Sequence, residues 1–437
     1  MPGDGDLYWQ RWLGELLLQT HRLPTVLGSE TFTATGAPWV PQEWLFSLIV
    51  ALAARHGLFL FFSILVSALP TAILWSVFAR SRDTAWPAAI GVALFFCGWS
   101  FMQSFGVRAQ VLGWALFAAF LFFLERRDRW YYAAIPTAIL WANVHASVAL
   151  APGIVAARLA ATALGGAGAL RTSRDLLMFP AVLLAMICTP LGLRLPAYAI
   201  ALSVSPIRHF IEEWQPAGFG DISFVLGALP LALAALLAGK VMLWEKRSEL
   251  FPAALLFGAT LFAARNIPLF AIAAAPLAAV GFSHQFPQLR RVRASLQEMQ
   301  PLGLATIGIA IVLAGIAMTL LQRREPPRLP AAAIAALGAD RVEHRLFCEN
   351  FTWCSLALQY PSLRVFVDGR CDAYPVRIWQ QYGTALKGGD SSNRVLRDYR
   401  VDAVVATRGG AIAQTLGKSG AWTIASQDRA YVAFRRE

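Results

Sequence analysis

The sequence predicts a polytopic α-helical membrane protein carrying a C-terminal soluble α/β domain, and three observations predict it. Of 437 residues, 57% are hydrophobic and 15% charged, the mean hydropathy is +0.52, and the apolar residues fall in runs as long as a bilayer requires. The basic residues collect in alternate breaks between those runs, the pattern by which membrane proteins set their orientation. After residue 321 the apolar runs give way to short β-rich stretches separated by helical ones.

The chain divides into residues 1–43, polar to mixed, residues 44–321, a transmembrane domain, and residues 322–437, the α/β domain. In the opening stretch "GDGDLYWQRWLGELLLQTHRLP", Leu7, Tyr8, Trp9, Trp12, Leu13, Leu16 and Leu17 recur at helical spacing, with Gln10, Arg11, Gly14 and Glu15 on the other side. This reads as an amphipathic helix lying in the membrane interface, its aromatic rings at headgroup level. Asp6 stands in its first turn, where a carboxylate caps free N–H groups.

Ten spans are expected near 57–78, 86–107, 109–124, 130–142, 146–160, 175–191, 222–239, 251–264, 267–282 and 302–321. Several are shorter than the roughly 20 residues of a simple span, so the pairs around Asn143 and His145 and around Arg265 read as broken or partly buried helices. One set of breaks holds Arg80, Arg82, Arg126, Arg127, Arg129, Arg158, Arg171, Arg174, Lys240, Lys246, Arg247, Arg290, Arg291 and Arg293; the other holds only Arg55, Arg108, Arg194, Arg208 and Arg265. The rich set is cytoplasmic by the positive-inside rule, which puts residues 1–43 and the C-terminal domain both outside a plasma (inner) membrane. A polar head on that side either crosses unaided or follows an earlier span; a span upstream of Met1 is the expectation. The formal net charge of +12 is spent on orientation, so no nucleic-acid partner is expected.

Beyond the spans, "RLFCEN", "LRVFVDG", "VDAVVAT" and "AYVAFRR" read as strands, with helices near 355–359, 376–386 and 412–416. "VFVDGR" reads as a strand running into a turn, and Gly369 and the pair Gly409 and Gly410 as ordinary turn positions. Cys348, Cys354 and Cys371 permit one disulfide in an oxidising compartment, with three pairings open. Cys97 and Cys188 lie in apolar runs and read as packing residues.

Ionisable and polar groups at the outer mouths of the spans are the candidate site: Asp4, Asp6, Glu43, Arg108, Asn143, His145, Glu212, Glu213 and Arg265. Charges near membrane depth are expensive and either pair or line a watery cavity. Each also has a plainer reading. Asp6 caps a helix, Asn143 and His145 satisfy backbone at a break, Arg108 and Arg265 pair with Glu212 or Glu213, and Trp9, Trp39 and Trp44 anchor in the interface.

The phrases "DGDLYWQRWLGELLLQTHRLP", "SETFTATGAPWVPQEWL", "LWANVHAS", "TPLGLRL", "IEEWQP" and "AARNIPLFAIAAAP", with the tail "NFTWCSLALQYPSLRVFVDGRCDAYP", resemble in their order the bacterial multi-spanning proteins related to GT-C glycosyltransferases. The resemblance implies a GT-C-like fold and transfer of a sugar from a polyprenyl-phosphate carrier to an envelope glycan, lipid or protein. It implies an acid of the first outer loop as base, hence Asp6 or its neighbour Asp4. Arg265 and Arg108 then contact the phosphate, and Glu43, Trp44, Asn143, His145 and Glu213 the sugar or acceptor; Glu43 and His145 are also candidates to hold a divalent ion, Mg2+ or Mn2+. The tryptophan pair followed by Asp-Tyr-Gly that marks oligosaccharyltransferases is absent, so transfer to asparagine is not indicated. The rival readings are a non-catalytic scaffold that binds envelope partners through the C-terminal domain and, behind it, a transporter, for which no clear internal repeat is visible.

Overall fold

The computed structural model describes residues 5–102, 106–171, 173–239, 244–286, 329–339 and 342–437. Asp4 and the span expected at 302–321 lie outside the described residues. The chain forms two units: Met1–Phe62, Val204–Phe210 and Met318–Glu437 make one, and Ser63–Ser203 with Ile211–Ala317 make the other.

The first unit is built on a five-stranded sheet in the order β2-β1-β3-β5-β4. Its strands are β1 (His344–Cys348), β2 (Leu363–Val365), β3 (Ala403–Thr407), β4 (Trp422–Gln427) and β5 (Tyr431–Arg436). β1 pairs in parallel with both β2 and β3, while β5 runs antiparallel to β3 and to β4. The parallel strands need helical crossovers. Phe351–Ala357 supplies the first, and Val376–Ala385 with Gly389–Asp398 the second.

Four strands and two of these helices coincide with the expected stretches. β4 and the helix Gly389–Asp398 do not. β4 is an exposed edge with little apolar alternation, and the helix "GDSSNRVLRD" buries only Ser392, Val395 and Leu396. Val395 and Leu396 are its only large apolar residues, so there is no apolar run to mark it.

The head of the chain is part of this unit. Helix α1 (Asp6–Thr20) packs on helix α2 (Trp44–Arg55), burying Leu7, Leu13 and Leu17. The two backbones approach so closely that a β-carbon on Gly14 would lie 2.1 Å from the carbonyl oxygen of Ser47. Between the helices, Val26 bridges Pro38 in a hairpin-like loop, and Thr31 bridges Val365 in parallel. The Val365 N–H donates to Glu30 O at 2.9 Å and the Phe32 N–H to Val365 O at 3.3 Å. The loop thus covers the open edge of β2, where unpaired backbone groups would otherwise face solvent.

The second unit is helical. Its helices fall within or beside the expected spans from 57–78 to 267–282; Arg194–Val204 is additional. Among the described residues, three helical segments are long and apolar enough to cross a membrane: Phe59–Ser81, Ala146–Ala163 and Ala264–Gln285. Five shorter apolar helices of this unit accompany them among the described residues; a sixth, α2, belongs to the first unit.

Every residue of Ile267–Gly281 is buried, as expected of a helix apolar on all sides and enclosed by others. Pro276 cannot donate to the carbonyl of Ile272, and Arg80 Nη1 does so instead at 2.9 Å.

The arginine-rich breaks meet one another in this unit. Arg80 pairs with Glu125 at 2.6 Å, and Arg158 pairs with Asp175 at 3.1 Å while donating to Leu124 O. Arg174 donates to the carbonyls of Arg127 and Asp128. Cys97 is buried, as a packing residue should be, whereas Cys188 is exposed.

Candidate functional site

Of the residues singled out in the sequence, Asp6, Glu43 and Trp44 belong to the first unit, and Arg108, Asn143, His145, Glu213 and Arg265 to the second.

In the second unit, two helix breaks have nearly the same backbone. His145 (φ −159°, ψ 137°) ends the helix Ala134–Val144 and opens the 3₁₀ turn Ala146–Ala149. Ala263 (φ −155°, ψ 123°) ends Arg247–Phe262 and opens the turn Ala264–Asn266. These extended residues fall at or beside the breaks that the short apolar runs predicted.

The two breaks present side chains to each other. Arg265 Nη2 lies 3.4 Å from His145 Nε2, and the Arg265 guanidinium carbon lies 5.2 Å from the centre of the Trp214 ring. His145 Nδ1 lies 2.7 Å from Ser147 Oγ and 3.1 Å from the Ser147 N–H, and Trp141 Nε1 donates to the same hydroxyl at 3.0 Å. Burial, and then the neighbouring Arg265 guanidinium, lower the His145 pKa to about 3. The ring is neutral at pH 7.

No ion pair joins Arg265 to a carboxylate among the described residues. Its charge faces a neutral imidazole and an indole, the arrangement that leaves a cation available to an anion.

Asn143 has a structural task at the same break: its Nδ2 donates to Ile139 O at 2.7 Å and to Cys188 O at 2.9 Å, tying the broken helix to the end of Asp175–Ile187. Arg108 is the N-cap residue of Ala109–Leu124. Gly113 of that helix abuts the Cβ of His145, five residues or roughly 7–8 Å along the axis from Arg108. Arg108, His145 and Arg265 therefore share one end of the unit. Glu213 lies in the short turn Glu212–Trp214, whose neighbour Gln215 accepts from the Ala264 N–H at 2.8 Å.

In the first unit, Asp6 opens α1 behind Gly5, which has no side chain to cap with. Trp9 Nε1 donates to Asp6 Oδ1 at 3.3 Å. A β-carbon at position 369 would lie 2.6 Å from Asp6 Oδ1 and 2.8 Å from Trp9 Cδ1, so Gly369 is a place of close approach as well as a turn. Glu43, the N-cap residue of α2, accepts from Gln10 Nε2 at 2.6 Å and from Gln42 Nε2 at 3.0 Å. Trp44 begins α2 beside it.

The most deeply buried charges were not among the sequence candidates. Arg370 is held by Asp368 at 2.6 Å and by Glu30 at 2.7 Å, with the Arg370 and Asp368 side chains fully buried. Tyr374 OH donates to Asp368 Oδ2 at 2.8 Å, and the guanidinium carbon lies 4.9 Å from each of the Trp12 and Trp39 ring centres. Burial opposes the charge on Arg370, but Asp368, Tyr374 and Glu30 together more than offset it, and the pKa is raised. Burial, then Asp368, raise that of Tyr374 well above the ordinary phenol. An acid and a base two residues apart, directly after the apolar run of "VFVDGR", were the available signal. Cys348 and Cys354 form the disulfide, which leaves Cys371 outside it.

No family profile and no curated protein matches this chain. Solved structures do. The archaeal oligosaccharyltransferase AglB from Archaeoglobus fulgidus, in complex with an inhibitory peptide and a dolichol-phosphate, is similar over 93% of this chain and 66% of its own, with a TM-score of 0.60 and 12% identity. The same organism's oligosaccharyltransferase in complex with Zn and sulfate is similar over 93% and 64%, at a TM-score of 0.58 and 11% identity. ArnT from Cupriavidus metallidurans, in the apo state, is similar over 99% of this chain and 93% of its own, at a TM-score of 0.52 and 14% identity. The chain thus spans less than two thirds of the oligosaccharyltransferase chains and nearly all of ArnT. It has a GT-C-like fold, as the order of its sequence phrases implied.

Proposed function

We propose that the chain is an integral membrane glycosyltransferase that moves a sugar from a polyprenyl-phosphate carrier to an extracytoplasmic glycan, lipid or protein. The observation that carries this reading is Arg265, a guanidinium at a break between apolar helices with a neutral imidazole on one side, an indole on the other and no carboxylate partner among the described residues. A cation kept in that state is suited to a phosphate. The dolichol-phosphate bound to the similar oligosaccharyltransferase supports a lipid-linked donor.

In the proposed reaction the acceptor hydroxyl attacks the anomeric carbon and the bond from that carbon to the phosphate oxygen breaks. Asp6 takes the hydroxyl proton, a contribution of typically ~10²–10⁴-fold. Arg265 with Arg108 neutralises the charge gathering on the departing phosphate. Asp4 or Glu43 assists Asp6, while Trp44, Asn143, His145 and Glu213 line the sugar and acceptor. Among the described residues no three His, Cys, Asp or Glu side chains come together as a metal ion needs, so no step is routed through a divalent ion.

A polytopic membrane location is supported by the three long apolar helices and by the exposed Phe61, Trp75, Phe95, Leu177 and Leu184, which suit contact with lipid. The Cys348–Cys354 disulfide supports an oxidising compartment for the sheet domain. The backbone hydrogen bonds of Glu30 and Phe32 with Val365 support the same side for the head of the chain. The positive-inside pattern of the sequence supports a cytoplasmic side for the arginine-rich breaks.

The test is transfer of radiolabelled sugar from a polyprenyl phosphate to envelope membranes by the reconstituted protein. Asp6→Asn should lower the rate at least ~100-fold with thermal unfolding unchanged. Retention of the wild-type rate would remove Asp6 from the mechanism.

A further inference from the structure

The Arg265 guanidinium is held from two sides by groups whose own places are secured. On one side, the segment that follows Trp214 is stitched to the Arg265 turn by Ala264 N–H to Gln215 O at 2.8 Å and to the helix before that turn by Ala217 N–H to Thr260 O at 3.1 Å. On the other, His145 is 4% exposed, its backbone N–H donates to Trp141 O at 2.9 Å, and its Nδ1 meets Ser147, whose hydroxyl is engaged by Trp141. An arginine has four side-chain torsions and loses that freedom at a cost when it must grip a ligand. Here the cost is met before any ligand arrives.

We propose that His145 and Trp214 are positioning residues that orient the Arg265 guanidinium toward the phosphate group of a lipid-linked donor. The proposal rests on the reading of Arg265 as a phosphate contact. With Nδ1–H donating to Ser147 Oγ, the neutral ring presents Nε2 as an acceptor to Arg265 Nη2, the guanidinium carbon lies over the Trp214 ring, and the remaining N–H groups keep the fork geometry that matches phosphate oxygens. Neither partner carries a negative charge that would compete with phosphate.

The probe is radiolabelled farnesyl monophosphate, bound to the purified full chain in detergent and measured by equilibrium dialysis, with thermal unfolding recorded for every variant. Arg265→Ala sets the background. His145→Ala should weaken binding by roughly tenfold or more, the worth of a hydrogen bond to a charged group, and His145→Gln, which keeps an acceptor, should restore most of it. Trp214→Leu should weaken binding severalfold and Trp214→Phe should not, because phenylalanine retains a π face. Should His145→Ala fail to fold, the Trp214 pair decides alone. If Arg265→Ala abolishes binding while His145→Ala and Trp214→Leu bind as wild type, positioning is overturned and the phosphate contact stands. If Arg265→Ala binds as wild type, the phosphate contact itself is lost, and positioning with it.

Discussion

Arg370 and Glu30 stand 340 positions apart in the sequence and meet as an ion pair 2.7 Å long, with the Arg370 side chain fully buried. This contact, with the bridge from Thr31 to Val365, makes the head of the chain a structural part of the C-terminal domain. The candidate base Asp6 is therefore carried by the same unit as the sheet.

Removing Arg370 should be costly. Arg370→Met leaves Asp368, which is 0% exposed, without its cation, and breaking a buried pair from one side costs about 3–5 kcal/mol. Thermal unfolding of the purified protein should show a large loss of stability. Glu30→Gln, which keeps an oxygen acceptor and spares Asp368, should cost clearly less.

Gly369→Ala should disturb the head of α1. Its β-carbon would sit 2.6 Å from Asp6 Oδ1, and relieving that overlap costs about 1–3 kcal/mol. Sugar transfer should fall with stability, and Gly383→Ala, where a β-carbon meets nothing within 4 Å, should leave transfer unchanged. Equal transfer rates in the two variants would argue against Asp6 and residue 369 being neighbours.

The His145 imidazole imposes a pH dependence of definite sign. In the unfolded chain it takes a proton below about 6.5; in the fold burial and Arg265 hold it neutral until about pH 3. The unfolded state binds the extra proton across that window, so this residue's contribution is complete above pH 6.5 and is lost progressively as the pH falls toward 3. Melting temperatures of wild type and His145→Gln, compared from pH 7.5 to pH 4.5, should converge or cross as the medium becomes more acid. Parallel curves would contradict the assignment.

The disulfide makes a separate prediction. Without reductant, alkylation of the folded protein should modify Cys188 and Cys371 but spare Cys348 and Cys354. The Cys348→Ser, Cys354→Ser double variant should lose about 2–3 kcal/mol of stability, the worth of closing so short a loop. Mass spectrometry after alkylation decides the pairing.

The parts legible in the sequence were those with local signals. Apolar runs located the helices of the second unit, and the shortness of the runs around His145 and Arg265 marked both breaks. Four strands of the sheet announced themselves as β-branched runs between turns. Contacts over long separations gave no such signal: Glu30 carries nothing that points to Arg370, and "VFVDGR" read as a turn because its ion partners lie next to it and 340 residues away. β4 and the helix Gly389–Asp398 escaped because most of their surface faces solvent. Trp214 stood beside the singled-out acids Glu212 and Glu213, yet only the fold brings its ring to Arg265.

For Asp6 to meet a donor on the outer face, the head of the chain must lie outside the cytoplasm together with the sheet domain. The direct measurement is labelling of intact cells by a membrane-impermeant maleimide, using single cysteines at the exposed positions Ser29 and Asp83 in a background where Cys97, Cys188 and Cys371 are serine and the disulfide is kept. Ser29→Cys should react in intact cells and Asp83→Cys only after permeabilisation. Reaction at position 83 with protection at position 29 would place Asp6 in the cytosol, away from any donor on the outer face, and would contradict the central claim.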